Sequence, residues 1–97
     1  MSESRSLLTP ELLSEGLAAA PGWRLDGGRL TKEFSFPTYA QGVLFAVATA
    51  QLAERLDHHP EMWITWGKVT VTTWTHTAGG VTRLDLELAR GVEALSG

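Results

Sequence analysis

The chain is predicted to fold as an α+β domain, with a four-stranded antiparallel sheet and three helices packed on one face, in the order α-β-β-α-β-β-α. Two observations support this prediction. Three segments have apolar residues at helical spacing behind capping residues, and two pairs of strand-like segments flank glycine-containing turns. Because 97 residues suffice for one hydrophobic core and not for two, we expect a single domain over residues 1–97.

The first helix and the first hairpin are predicted from capping and turn residues. Thr-Pro-Glu at residues 9–11 combines a capping hydroxyl, a first-turn proline and an early acid, and Pro-Gly at residues 21–22 ends the helix. Residues 23–25 and 30–36 flank Asp-Gly-Gly at residues 26–28, a cluster that forms turns. These two segments therefore indicate a β-hairpin.

The second helix is predicted to run from Tyr39 to Leu56, behind Thr38 and Gln41, which have the spacing of a capping box. Its apolar side chains form two roughly opposite rows, Val43, Val47 and Ala50 on one side and Phe45, Leu52 and Leu56 on the other. A single core contact cannot bury both rows, so either the domain wraps this helix or a second subunit covers one row. We expect a homo-oligomer, a dimer or a tetramer, through this helix.

The second hairpin is predicted from residues 62–66 and 69–76, which flank a two-residue turn at residues 67–68. If the residues that border this turn pair with each other, one face of the hairpin carries five apolar side chains, those of Met62, Ile64, Trp66, Val69 and Val71. His76 would then lie at the end of the second strand.

A third helix is predicted after Thr82 and Asp85, which have the spacing of a second capping box. Apolar residues follow at helical spacing, namely Leu84, Leu88, Val92 and Leu95. The alternation of leucines at residues 84, 86 and 88 would also suit a strand, and the cap favours the helix.

Composition and charge disfavour several classes of function. The net charge is −3 and the eight Lys and Arg residues are scattered along the chain, so we expect no direct binding to nucleic acid. Cysteine is absent, which removes disulfides and thiolate metal sites and suits a cytoplasmic protein. Residues 1–10 lack the apolar run of a signal peptide, and the longest apolar run, residues 42–50, is about half of a membrane span. We therefore expect no membrane partner.

All histidines of the chain lie in one short window together with several carboxylates. The histidines are His58, His59 and His76, and the carboxylates are those of Glu54, Asp57 and Asp85. Histidine changes charge near neutral pH, so imidazoles that face one pocket can give one proton and take another, which indicates acid/base chemistry. Simpler roles stay open, because Asp85 suits a helix cap and Glu54 with His58 suits a helical ion pair. Zinc is disfavoured, since HxxxH and HxH spacings are absent.

A composite motif extends this window in both directions. It comprises Glu54-x-x-Asp57-His58-His59-Pro60, Trp66, Val69, Thr75-His76, Gly80, Thr82 and Asp85. This combination resembles the signature of the pterin-4a-carbinolamine dehydratases, and the resemblance covers roughly residues 22–90. Two residues depart from the family's pattern, because Trp66 replaces a more usual tyrosine and Trp74 stands where a small residue is common.

The resemblance implies a dehydratase that acts on the 4a-hydroxytetrahydropterin released by aromatic amino-acid hydroxylases and expels water to give quinonoid dihydropterin. It implies no metal and no organic cofactor, the pterin being the substrate, and it makes a hydroxylase a candidate partner. The implied catalytic residues are His58, His59 and His76, and the implied walls of the pterin site are Asp57, Trp74, Thr75 and Thr77. Two carboxylates are expected to orient imidazoles, Asp85 that of His76 and Glu54 that of His58.

Two other classes of function stay open. Some members of the resembled family serve as dimerisation cofactors of a homeodomain transcription factor, and degenerate relatives serve as assembly factors. A non-catalytic protein-binding module that uses the two-sided helix is therefore one alternative. A metal-dependent hydrolase is the other. The presence of all three histidines favours the enzyme over the binding module.

Overall fold

Three helices and four strands follow one another in the predicted order over residues 6–96, the part of the chain that the computed structural model describes. They are α1 (Pro10–Ala18), β1 (Arg24–Asp26), β2 (Arg29–Ser35), α2 (Tyr39–Leu56), β3 (Glu61–Thr65), β4 (Lys68–Thr73) and α3 (Arg83–Ser96), with a short 3-10 helix at His76–Ala78. The predicted fold class is confirmed, and the segment after Thr82 is a helix rather than a strand.

Each helix begins at the hydroxyl that was expected to cap it. Thr9 and Thr38 each accept a hydrogen bond through Oγ1 from the N–H three residues on, at 3.2 and 3.1 Å. At α3 the capping box closes, because the Thr82 N–H donates to Asp85 Oδ2 at 2.9 Å. These caps satisfy backbone groups that the ends of a helix otherwise leave unpaired.

The sheet has the strand order β1-β2-β4-β3, and each neighbouring pair is antiparallel. β4 is therefore a central strand, hydrogen-bonded to β2 on one side and to β3 on the other, whereas β3 lies at an edge. The core between the sheet and the helices includes the buried side chains of Leu30, Phe34, Phe45, Val69, Val71, Leu88 and Val92.

The predicted turn between β3 and β4 is wrong by one residue. Thr65, not Trp66, is the last paired residue of β3, and its partner is Lys68. Lys68 belongs to β4 because it also pairs with Ser35 of β2. The turn therefore lies at Trp66 and Gly67, and the Trp66 side chain is 77% exposed instead of lying on the apolar face.

The face predicted for the other apolar residues of this hairpin is nevertheless correct. Met62 pairs with Val71 and Ile64 pairs with Val69, so each residue of β3 finds its partner two positions earlier in β4 than predicted. Side chains alternate across a strand with a period of two, and a shift of two positions keeps all four residues on one face.

The prediction that His76 ends the second strand of this hairpin is also wrong. β4 ends at Thr73, after which Thr75 forms an isolated bridge with Gly80 and His76 begins the 3-10 helix. Gly79, with φ at 74°, lets the chain turn back at this point. His76 therefore lies in a loop at the end of the sheet.

The two sides of α2 differ in burial, but the exposed side does not coincide with a predicted apolar row, because Val43 and Ala50 are half-buried and only Val47 of their row is exposed. Phe45 is 6% exposed in the core, whereas Leu44 and Val47 are 67% and 50% exposed. Nothing in residues 6–96 covers the outer side of this helix. In the same residues, no helix combines the length and the apolar character needed to cross a bilayer.

Candidate active site

Helix α2 ends in a conformation that separates the two histidines that follow it. Asp57 has left-handed backbone angles, φ 52° and ψ 44°, and the His58 N–H reaches back to the Ala53 carbonyl at 3.0 Å. This is the pattern of a Schellman motif, which favours glycine at the left-handed position. Because the helical spacing ends here, His58 turns inward and is 8% exposed, while the His59 side chain is 56% exposed.

A buried carboxylate holds His58. Its Nε2 lies 2.6 Å from Oδ1 of the fully buried Asp85. Further donors reach the same carboxylate, namely Thr73 Oγ1 at 2.6 Å, Thr75 Oγ1 at 2.9 Å and the Thr82 N–H at 2.9 Å. Four donors occupy the acceptor sites of an ionised carboxylate, and the start of α3 favours negative charge. An ionised carboxylate only accepts, so His58 donates through Nε2, and the lone pair of the neutral ring lies on Nδ1.

An exposed carboxylate holds His59. Its Nε2 lies 2.6 Å from Glu54 Oε2, and the two side chains are 56% and 75% exposed. Water and salt screen an ion pair at the surface, so Glu54 restrains its imidazole less than a buried carboxylate would. His59 is consequently the less restrained of the two neighbouring histidines.

An indole, not a carboxylate, holds His76. The imidazole stacks on Trp74 with 4.5 Å between ring centroids and 20° between planes. Arg29 contacts the same indole, with its Cζ 4.0 Å from the ring centroid. Neither nitrogen of His76 has a hydrogen-bond partner within residues 6–96. Both nitrogens therefore stay available to a substrate or to water.

Both predicted orienting pairs are wrong. Glu54 was expected to orient His58 and Asp85 to orient His76, whereas Glu54 binds His59 and Asp85 binds His58. The four-residue spacing of Glu54 and His58 brings side chains together only inside a helix, and α2 ends before His58. Asp85 also caps α3, so its structural role and its role in the site are compatible.

The three imidazoles meet at one cleft of about 290 Å³. Its walls are Asp57, His58, His59, Trp74, Thr75, His76 and Thr77. The remaining two predicted site residues, Glu54 and Asp85, do not line the cleft, and each hydrogen-bonds one of its histidines. Two larger depressions, of about 540 and 450 Å³, lie over the sheet and contain no histidine.

Two contributors to the site, Arg29 and Thr73, are absent from the sequence prediction. Thr73 follows Val69 and Val71 on the buried face of β4, and a hydroxyl within an apolar alternation signals a buried hydrogen-bond partner. That signal was present in the sequence. Arg29 has no such signal, because it reaches Trp74 across the pairing of β2 with β4, which depends on the strand order.

No group of three or more His, Cys, Asp or Glu side chains within residues 6–96 is arranged to hold a metal ion. Instead, each histidine has a separate partner, which is a buried carboxylate, an exposed carboxylate or an indole. Imidazoles that are held separately and face one cleft can act as proton donor and proton acceptor on one ligand.

The chain matches one protein family over nearly its whole length. The profile of the family described as Pterin 4 alpha carbinolamine dehydratase matches residues 6–95. The chain belongs to this family. A Streptomyces coelicolor protein provisionally named pterin-4-alpha-carbinolamine dehydratase is 42% identical over 90 residues, which cover 92% of this chain and 89% of the relative. A Brucella ovis protein with the same provisional name is 38% identical over 96 residues, which cover 97% and 99%.

Two solved structures with this pterin dehydratase fold are described with different functions. A crystal structure from Brucella melitensis, of a transcriptional coactivator/pterin dehydratase, has a TM-score of 0.88 at 37% identity and covers 93% of this chain and 98% of that one. A pterin dehydratase-like protein identified as a RuBisCO assembly factor in the alpha-carboxysome has a TM-score of 0.63 at 30% identity and covers 77% and 87%. The predicted family is confirmed, and the activity has to be argued from the site.

Proposed function

We propose that the protein is a 4a-hydroxytetrahydropterin dehydratase, which removes water from the 4a-carbinolamine to give quinonoid dihydropterin. Such an enzyme recycles the tetrahydropterin of aromatic amino-acid hydroxylases, and the proposal places it in the cytoplasm. The observation that carries the proposal is the convergence of His58, His59 and His76 on one cleft. Membership of the family supports the same activity.

The reaction requires two proton transfers. The bond between C4a and its hydroxyl oxygen breaks as a proton reaches that oxygen, which leaves as water. The ring nitrogen beside C4a loses its proton as the C=N bond forms. One imidazole can give the first proton and another can accept the second near neutral pH. Loss of water is redox-neutral, so the proposal includes no cofactor.

Within this proposal His58 is the base. Its Nε2 donates to Asp85 and its Nδ1 carries the lone pair, so the imidazolium formed by proton uptake stays paired with a buried carboxylate. His59 and His76 are the candidates for proton delivery to the leaving hydroxyl, because both are exposed and can be reprotonated by solvent. The proposed pterin site is completed by Asp57, Trp74, Thr75 and Thr77.

The proposal is tested with a tetrahydropterin-dependent hydroxylase and catalytic amounts of this protein, following the ultraviolet absorbance of the 4a-hydroxy intermediate. We expect the wild-type protein to accelerate its decay. Replacing His58, His59 or His76 by Ala should lower turnover by about 10²- to 10⁴-fold, because a proton-transfer group is lost. Glu33→Gln, an exposed substitution outside the cleft, is the control and should keep the rate. Wild-type activity in all three histidine variants would refute the site assignment.

A protein-binding role is the second candidate function. It is favoured by the exposed apolar side chains of Leu44 and Val47 on α2 and by the similarity to a structure identified as an assembly factor. In the same assay, an unchanged decay rate in the presence of folded protein would favour this role over the dehydratase. The retention of three converging histidines is the reason for ranking the enzyme first.

A further inference from the structure

Trp74 contacts His76, the histidine of the cleft whose side chain has no hydrogen-bond partner among residues 6–96. His76 has no carboxylate partner among residues 6–96 and its side chain is exposed. Its ring nevertheless lies nearly parallel to the Trp74 indole, with 20° between planes and 4.5 Å between centroids. Stacking on Trp74 is therefore the contact that limits the orientation of this imidazole.

Stacking restrains an imidazole without occupying its nitrogens. Both nitrogens lie at the edge of the ring, whereas the indole contacts its face. A carboxylate partner would occupy one nitrogen, as Asp85 occupies Nε2 of His58. His76 keeps both nitrogens, and the indole face also accepts the imidazolium, because a cation over an indole ring is attracted to it.

Arg29 contacts the indole in turn. Its guanidinium carbon lies 4.0 Å from the ring centroid of Trp74. The pairing of Leu30 with Thr73 places Arg29, the first residue of β2, beside Trp74, which directly follows β4. A planar guanidinium stacks well on an aromatic face, so Arg29 restrains the ring from a regular strand. Contacts thus run from β2 through the indole to the cleft.

We propose that Trp74 is a positioning residue for His76 and that Arg29 fixes the Trp74 ring, so that these contacts set the orientation of one proton-transfer group. The catalytic part of this inference rests on the proposed function, and the stack itself rests on geometry. The exposed indole of Trp66 makes no such contact with a histidine among the described residues, which makes it a matched control.

Proton NMR tests the stack without any substrate. The three histidines give three imidazole Hε1 resonances, and the one lost in His76→Ala belongs to His76. The ring current of an indole shifts a stacked imidazole upfield. We therefore expect Trp74→Leu to move this resonance downfield, Trp74→Phe to retain much of the upfield shift, and Trp66→Leu to leave it in place. A His76 resonance that does not respond to Trp74→Leu would overturn the proposal.

Turnover tests the consequence of the stack. Trp74→Leu should lower kcat about 10-fold and change KM by less than about twofold, because a misoriented imidazole slows proton transfer while the other walls still bind the substrate. Trp74→Phe should recover most of kcat. Arg29→Gln should cause a smaller loss, together with a smaller downfield shift of the His76 resonance. A raised KM at unchanged kcat would mean that Trp74 acts only as a wall of the pterin site and does not position His76, and unchanged kcat and KM would mean that it contributes to neither; either result overturns the positioning role.

The two measurements keep this inference distinct from the proposed function. If the wild-type protein accelerates the decay and Trp74→Leu does so equally well, the positioning role alone is refuted. If the wild-type protein has no effect, the proposed function is refuted and the catalytic role of Trp74 with it. The NMR result decides the stack in both cases.

Discussion

The two histidine–carboxylate hydrogen bonds at the cleft have the same length, but they contribute differently to the stability of the fold. Both measure 2.6 Å between nitrogen and oxygen. Asp85 is fully buried and accepts three further hydrogen bonds, whereas the Glu54 side chain is 75% exposed. Water can replace a partner lost at the surface, but a buried donor that loses its acceptor stays unpaired.

Asp85→Asn should therefore destabilise the fold far more than Glu54→Gln. The amide directs an NH₂ group at donors that need an acceptor, which should lower the free energy of unfolding by about 3 kcal/mol. The exposed replacement should cost less than about 1 kcal/mol. Urea unfolding followed by tryptophan fluorescence measures both values. Equal losses in the two variants would contradict the stabilising role of the buried network.

The composition of the cleft could be predicted from the sequence, and its pairings could not. The histidines belong to one motif with fixed spacing, and the resemblance of that motif to a known family implied the other walls of the site. Which histidine points inward depends on the left-handed backbone at Asp57, a single dihedral choice that reverses the partners expected from helical spacing. The stack on Trp74 depends on a loop conformation, which residue periodicity does not describe.

At the scale of the elements, residues close together in the chain predicted the bounds of a helix correctly, whereas the turn of a hairpin, which also depends on a distant strand, was predicted wrongly. Helix α2 has the predicted bounds, Tyr39–Leu56, because a capping residue and the apolar spacing behind it act within a few residues. The turn before β4 was misplaced because it was predicted from the hairpin alone. The register of β4 is also set by β2, a strand more than 30 residues earlier in the chain.

The end of α2 combines backbone strain with a position in the cleft, and this predicts opposite effects on stability and activity. A left-handed conformation costs an L-residue about 1–2 kcal/mol, and glycine avoids this cost. Glycine also gives the unfolded chain more conformational entropy, which offsets about 0.5–1 kcal/mol of the gain. Asp57→Gly should therefore raise the free energy of unfolding by about 0.5 kcal/mol and lower turnover, because the cleft loses a carboxylate. Urea unfolding and the decay assay measure the two effects.

Asp57→Asn separates the carboxylate from the backbone conformation. Asparagine tolerates left-handed angles, so this variant keeps the chain direction at the end of α2 and removes the charge. If the carboxylate binds the substrate, the Asn and Gly variants should lose turnover to a similar degree. Loss of turnover in the Gly variant alone would mean that Asp57 acts through the conformation of the chain.

At the scale of the whole molecule, the outer side of α2 leaves large apolar side chains exposed to solvent. Leu44 and Val47 are 67% and 50% exposed there, on a helix whose opposite side packs on the sheet. The sequence predicted that either the domain or a second subunit covers the row of Val43, Val47 and Ala50; the domain half-buries Val43 and Ala50 and leaves Val47 exposed. A contiguous apolar surface on a small protein marks an interaction site, and a second copy of the chain is the expected occupant.

Val47→Glu should therefore shift the protein toward a lower mass in size-exclusion chromatography with light scattering, because a carboxylate buried between two helices is strongly unfavourable. Leu12→Glu on α1 is the matched control, since Leu12 is also apolar and 50% exposed but lies on a different surface. The control should keep the mass of the wild-type protein, and circular dichroism should show that both variants are folded. An unchanged mass for Val47→Glu would mean that the outer side of α2 is not the contact between subunits, and an equal shift in both variants would mean that any added charge disperses the oligomer.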